Sequence, residues 1–126
     1  MWVPTSACSP CATPGPGRAS TPLSHPGAFA RLRRNVAANG LDGRIKALSC
    51  ALGAVDGRAR LTDAPATPLT RALPDPAGTV PLRTLDTLVL ELGLGRIDLL
   101  KLDVEGAEVE VLRGGRTVLP RVQRLV

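Results

Sequence analysis

The stretch Ile97-Asp98-Leu99-Leu100-Lys101-Leu102 narrows the possible folds more than any other. It reads as a strand buried on both faces, the pattern of a parallel sheet covered by helices. Asp103 sits at its C-terminal edge. Glu105 to Arg113 reads as a helix stopped by Gly114-Gly115. A short helical turn and Pro120 follow, and Arg124-Leu125-Val126 begins another strand. Before the run, Thr84 can cap a helix, with Asp86 in its first turn facing the positive end of the dipole. Leu85, Leu88, Val89 and Leu92 would line one face of that helix, and Gly93 would end it.

The same alternation extends upstream. Pro26 suits the first helical position, where its missing N–H costs nothing. Phe29, Leu32 and Val36 make one apolar stripe, and Asn39-Gly40 is a stop, with Gly40 taking the left-handed cap and Leu41 packing back. The spacing predicts a helix over 26–39. Ile45 to Leu52 and Ala59 to Leu61 are apolar runs around Asp56-Gly57, a hairpin turn signal. Pro65, Pro68, Pro74 and Pro76 make 62–79 a long surface loop. Residues 1–24, rich in Pro, Ser, Thr, Ala and Gly without periodicity, bury too little apolar surface to order themselves and read as a disordered tail. Helices alternating with strands point to an α/β fold with a doubly wound sheet over 25–126.

Composition limits the partners. Aromatic residues are only 2%, Trp2 and Phe29, so Leu, Val, Ile and Ala must carry the packing and platforms for stacking bases are lacking. The net charge is +5, and no acid precedes Asp42, whereas Arg18, Arg31, Arg33 and Arg34 do. Nucleic-acid motifs are missing, so no nucleic-acid partner is expected. A small basic module contacting phosphate through Arg31, Arg33 and Arg34 is one alternative, and a solvated helix face is the plainer account of the three arginines. Cys8, Cys11 and Cys50 are odd in number, which argues against a disulfide framework, and the Cys8–Cys11 pair lacks the second pair a zinc site needs. No metal site is expected. His25, the only histidine, reads as a helix-cap neighbour rather than a general base. Neither a secretory signal nor a run of about 18 apolar residues occurs, so no membrane partner is expected and the cytoplasm is the default compartment.

The chemistry-bearing residues gather after the buried run. In open α/β sheets ligands bind beyond the carboxyl ends of the strands, where Asp103 lies. Glu105 and Glu108 follow, three apart on one helical face, and Gly106 allows close approach of a ligand. Carboxylates there could accept a proton, hold a hydroxyl or bind a metal. The bland alternative is that Glu105 and Glu108 merely favour the helix N-terminus.

Leu99 through Glu108, followed by Val111-Leu112-Arg113-Gly114-Gly115, resembles the signature block of FkbM-type methyltransferases. His25 to Phe29, Leu32 to Val36 and Asn39 to Leu41 are similar to the family's helix after its second strand. Ala51-Leu52-Gly53 with Gly57 is similar to its third strand and turn, and Leu82 through Leu92 to its Thr-Leu-Asp-x-Leu stretch. The resemblance covers about residues 25–126. It implies a Rossmann-like class I methyltransferase fold, here partial, with a parallel sheet flanked by helices. It further implies methyl transfer from S-adenosylmethionine to an oxygen or nitrogen of a small-molecule, sugar or lipid acceptor. By position, Asp103 would lie near the methionine end of the cofactor or the acceptor, Glu105 and Glu108 would face the acceptor, and Cys50, Ala51 and Leu52 would border the adenine. The general base is not assigned.

Two departures bear on that expectation. The family's Gly-rich loop of the Asp-x-Gly-Ala-Asn type has no counterpart, and its acidic residue before the His-Pro step falls on Leu23. With the implied strand order 3-2-1-4-5, strands equivalent to three, four and the start of five are expected, and one and two are not. A truncated or misframed product explains this economically. A non-catalytic remnant that pairs with another chain is the other alternative.

Overall fold

The computed structural model describes residues 19–22, 24–63, 70–104 and 106–126. It begins with a strand–helix–strand unit. Strand β1 (Ala19–Pro22) is followed by α1 (Pro26–Ala38) and β2 (Ile45–Leu48), and the two strands pair in parallel from Ala19↔Ile45 to Pro22↔Leu48. Composition places Ala19–Pro22 in the tail and the family register places no strand there. The structure makes it the partner of β2. The apolar signal was weak because one short strand flanked by Pro22 shows no periodicity.

Helix α1 forms as its sequence dictates. His25 caps it, with its Nδ1 accepting the Ala28 N–H at 3.3 Å, and Pro26 opens the first turn. Gly40 takes φ +63°, and the amides of Gly40 and Leu41 donate to the carbonyls of Ala37 and Val36, the paired bonds of a Schellman stop. Val36 is buried, and Phe29 and Leu32 are half-buried. The three arginines Arg31, Arg33 and Arg34 are exposed.

The middle of the chain departs from expectation. Strands β3 (Ala51–Leu52), β4 (Gly57–Asp63), β5 (Thr70–Pro74) and β6 (Val80–Arg83) form one sheet in the order β3-β6-β4-β5. Asp56-Gly57 is therefore not the turn of a hairpin. β3 pairs in parallel with β6, and β4 lies antiparallel between β6 and β5. β5 and β6 lie in or just after the stretch read as a loop. Pro74 is tolerated because it ends β5, an edge strand that needs no donor on its outer side. Pro65 and Pro68 fall outside the described residues.

Thr84 caps α2 (Leu85–Glu91), its Oγ1 accepting the Thr87 N–H at 3.1 Å. Gly93, with φ +62°, ends it through a second Schellman stop in which Gly93 and Leu94 donate to Leu90 and Val89. Thr84→Ala removes the cap and is expected to lower stability by about 1 kcal/mol, read from the urea midpoint. Helix α3 (Glu108–Arg113) and a 3-10 turn (Leu119–Arg121) follow.

Residues 97–102 run parallel to 122–126 through bridges Ile97↔Val122 and Leu100↔Leu125. Burial on both faces is not observed. Ile97 and Leu100 are buried, whereas Leu99 is 52% exposed and Asp98 and Lys101 are exposed. α2 covers one side, and no described strand pairs with the outer edge. The α/β class therefore holds, but the strands divide between a two-stranded parallel sheet, a mostly antiparallel four-stranded sheet and this bridged pair. The single parallel sheet of a Rossmann-like fold is not what these strands build.

The core forms around α2. Leu85 and Val89 pack with Ile97, Leu100 and Val118. Leu88 packs with Leu48 and Cys50. Ala51, Ala59, Val80 and Leu82 fill the four-stranded sheet. No helix is long and apolar enough to cross a membrane among the described residues.

Candidate functional site

Asp103 follows the bridged strand and is exposed. Two residues apart in an extended backbone, Lys101 and Asp103 share a face, and Lys101 Nζ lies 2.6 Å from Asp103 Oδ2. That hydrogen bond, with the lysine charge behind it, holds the Asp103 carboxyl below its usual value. Glu108 opens α3. Its Oε1 accepts the Gly106 N–H at 3.1 Å, and Gly106 has φ +90°, a conformation glycine adopts without strain. Backbone N–H bonds from Glu108 itself and from Gly106 lower its carboxyl too, opposed by the nearby charge of Asp103. Both carboxyls are thus ionised at neutral pH. A carboxyl lowered by folding stabilises above its unfolded value and loses that contribution as pH falls through the lowered one. Exposure of Asp103 and only partial burial of Glu108 keep this contribution small. Lys101→Met is expected to return the Asp103 carboxyl towards its ordinary value while leaving Glu108 little changed, as read by carbon NMR across an acid titration.

The structure thus sets Asp103 and Glu108 at one loop–helix junction, close enough for their charges to interact. Glu105 lies outside the described residues, as do Leu23, Cys8 and Cys11. Cys50, Ala51 and Leu52 belong to a different neighbourhood. Cys50 is buried, which pushes its thiol up to about 11, with Arg83 pulling the other way. Such a thiol is inert at neutral pH. Ala51 is buried opposite Leu82, and half-buried Leu52 lies opposite Arg83. Among the described residues no hydrogen bond, ion pair or core cluster joins these three to Asp103 or Glu108.

Two other acids hold the frame of this region. Asp56, in the bend before β4, accepts the Thr84 N–H at 2.9 Å and the Thr87 hydroxyl at 2.6 Å. Asp86 accepts the amides of Thr117 and Val118 at 2.9–3.1 Å, while its own N–H donates to the Gly114 carbonyl. The Thr84-Leu85-Asp86 step is thereby tied to the end of α3. The only sequence signal for it was an acid in a helical first turn. A hollow of ≈ 460 Å³ beside α2, lined by Val89, Leu90, Leu94, Val118 and Arg121, contains none of the sequence-predicted site residues. Arg121 there donates to the carbonyls of Leu94 and Gly95.

The family model of the methyltransferase FkbM domain matches residues 24–126. The chain belongs to the FkbM methyltransferase family. The match covers both carboxylates at the junction and the α2 frame. Over 46 residues the chain is also 52% identical to the AMB antimetabolite synthetase AmbE of Pseudomonas aeruginosa, a span of 36% of this chain and 2% of that protein. The chain therefore spans a very small part of the length of the curated relative it matches. No solved structure matches it. Within the matched span, Leu99–Leu102 lies at the end of the bridged strand, Gly106 and Ala107 lead into α3, and Thr84-Leu85-Asp86 is the clamp at the start of α2.

Proposed function

We propose that this chain serves S-adenosylmethionine-dependent methyl transfer to an oxygen or nitrogen of a small-molecule, sugar or lipid acceptor, in the cytoplasm. The observation that carries the reading is the pair of exposed Asp103 after the bridged strand and half-buried Glu108 at the start of α3, both carboxyls held low, within the matched FkbM domain. The cofactor when bound would supply an electrophilic methyl group. Ionised carboxylates fit the ammonium and hydroxyl groups of such a cofactor or of a hydroxylated acceptor, because they accept hydrogen bonds and oppose positive charge. Asp103 would lie at the methionine end of the cofactor or the acceptor, and Glu108, with Glu105 before it in sequence, would face and orient the acceptor. The proposed adenine border fits less well. Cys50 and Ala51 face the core beneath α2 and β6, so only Leu52 retains exposed surface there.

Titrating the purified chain with S-adenosylmethionine by calorimetry, with far-UV circular dichroism on the same sample, tests this. Saturable binding that weakens in Asp103→Asn is the expected result. Absence of binding to a chain whose spectrum shows it folded sinks the reading.

A further inference from the structure

Over much of the described chain, cations are met by anions. Arg60, Arg83, Arg96, Lys101 and Arg113 each stand against a carboxylate. Helix α1 is different. Arg31, Arg33 and Arg34 are exposed, and no hydrogen bond or ion pair engages their side chains among the described residues. No Asp or Glu precedes Asp42, so the residues ahead of β1 hold no side-chain carboxylate to meet them. At about 100° per residue the three arginines fan through about 160°, across the side of α1 turned away from Phe29, Leu32 and Val36.

This clustering does nothing for the helix itself. The last turn of α1 holds no basic residue, so the arginines do not complement its dipole. Arg31 and Arg34 stand one turn apart and repel, and no acid lies three or four residues from any of the three. A face kept only for solvation interleaves both signs. Here the exposed residues around the arginines are short and neutral, Ala30, Ala37 and Ala38 among them. A partner's backbone can therefore come close while the guanidiniums reach its acceptors.

We infer that this face of α1 is a docking surface for an acidic protein partner, whose carboxylates pair with Arg31, Arg33 and Arg34. A guanidinium presents a planar fork that takes a carboxylate through two parallel bonds. A nucleic-acid backbone fits the face less well, because these cations fall within a single helical turn and no aromatic residue is exposed among them to stack a base. A bilayer fits less well too, because the apolar side of α1 is turned to the protein, with Val36 buried and Phe29 half-buried. Three surface pairs give a weak, salt-sensitive contact that acts most on the rate of encounter.

Titrating the full chain against a fluorescein-labelled, alanine-rich helical peptide with glutamates one turn apart, read by fluorescence anisotropy, tests the inference. The expected result is saturable binding that weakens as ionic strength rises. Arg31→Gln with Arg34→Gln should weaken it about tenfold. Arg116→Gln with Arg124→Gln removes the same charge from exposed positions nearer the C-terminus and should leave binding within about twofold. No binding to the peptide overturns the inference, as does equal weakening in both double variants, which would show a response to net charge alone. Tighter binding of a short DNA duplex or of phosphatidylserine vesicles, lost in the α1 variant, would make the face a phosphate surface and overturns it too. Amide shifts in the unaltered chain give a second reading that needs no variant. On adding the peptide they should gather in 27–38, and shifts centred elsewhere sink the proposal.

Discussion

Gly114→Ala is expected to destabilise the chain by about 3 kcal/mol, enough to unfold a domain of ordinary stability under mild conditions. The backbone at Gly114 is not the reason, since φ −79° and ψ 1° suit any residue. The reason is space. An added Cβ would lie 2.2 Å from the carbonyl oxygen of Gly53 and 3.2 Å from Thr84 Cβ. The first of these is backbone at the end of β3, which has no side-chain rotation through which to yield. Relief requires α3 to move away from β3, and that movement would pull on Asp86, whose N–H donates to Gly114 O. Gly95→Ala is the matched control, because nothing lies within 4 Å of its added Cβ, and its effect should stay within about 0.5 kcal/mol. Urea unfolding of both variants gives the comparison. Equal midpoints would show that the end of α3 is free to shift.

Asp86→Ala should lower stability by about 2 kcal/mol, since two backbone amides lose a charged acceptor together. Both are close to the carboxylate, and Val118 is buried, so water replaces the lost bond poorly at that position. Asp86→Asn keeps one oxygen in place and should fall between the two. The distinguishing measurement is amide exchange at Thr117 and Val118. In Asp86→Ala these two should speed up more than the amides of β4. A uniform acceleration would mean that the substitution acts only through global stability and that the clamp is not local.

The parts of this fold written in local chemistry were legible. Thr84 and His25 cap because their side chains carry acceptors next to free helical amides. Gly40 and Gly93 stop helices because glycine takes positive φ cheaply. Leu85, Leu88 and Val89 are buried as their spacing demands. What could not be read depends on pairing across distance. Nothing near Ala19–Pro22 marks it as a strand until β2 is beside it. Asp-Gly at 56–57 has the chemistry of a hairpin turn, yet β4 pairs with β5 and with β6, which comes between it and β3. The same limit applies to the site. Asp103 and Glu108 could be placed because a strand end and a helix start locate them, and the Lys101 contact follows from their two-residue spacing. Cys50, Ala51 and Leu52 offered only an apolar run, which serves a core and a ligand wall equally well, and the structure uses at least the first two for the core.

The seven residues of α2 have one further consequence. Leu88 belongs to the cluster of Leu48 and Cys50, and one residue along, Val89 belongs to that of Ile97 and Leu100. A rivet through two plates cannot be drawn from one of them alone. Melting either cluster frays the helix that the other needs, so the strand–helix–strand unit and the C-terminal pair should lose structure in one cooperative step, with a single transition temperature shared by probes placed in each.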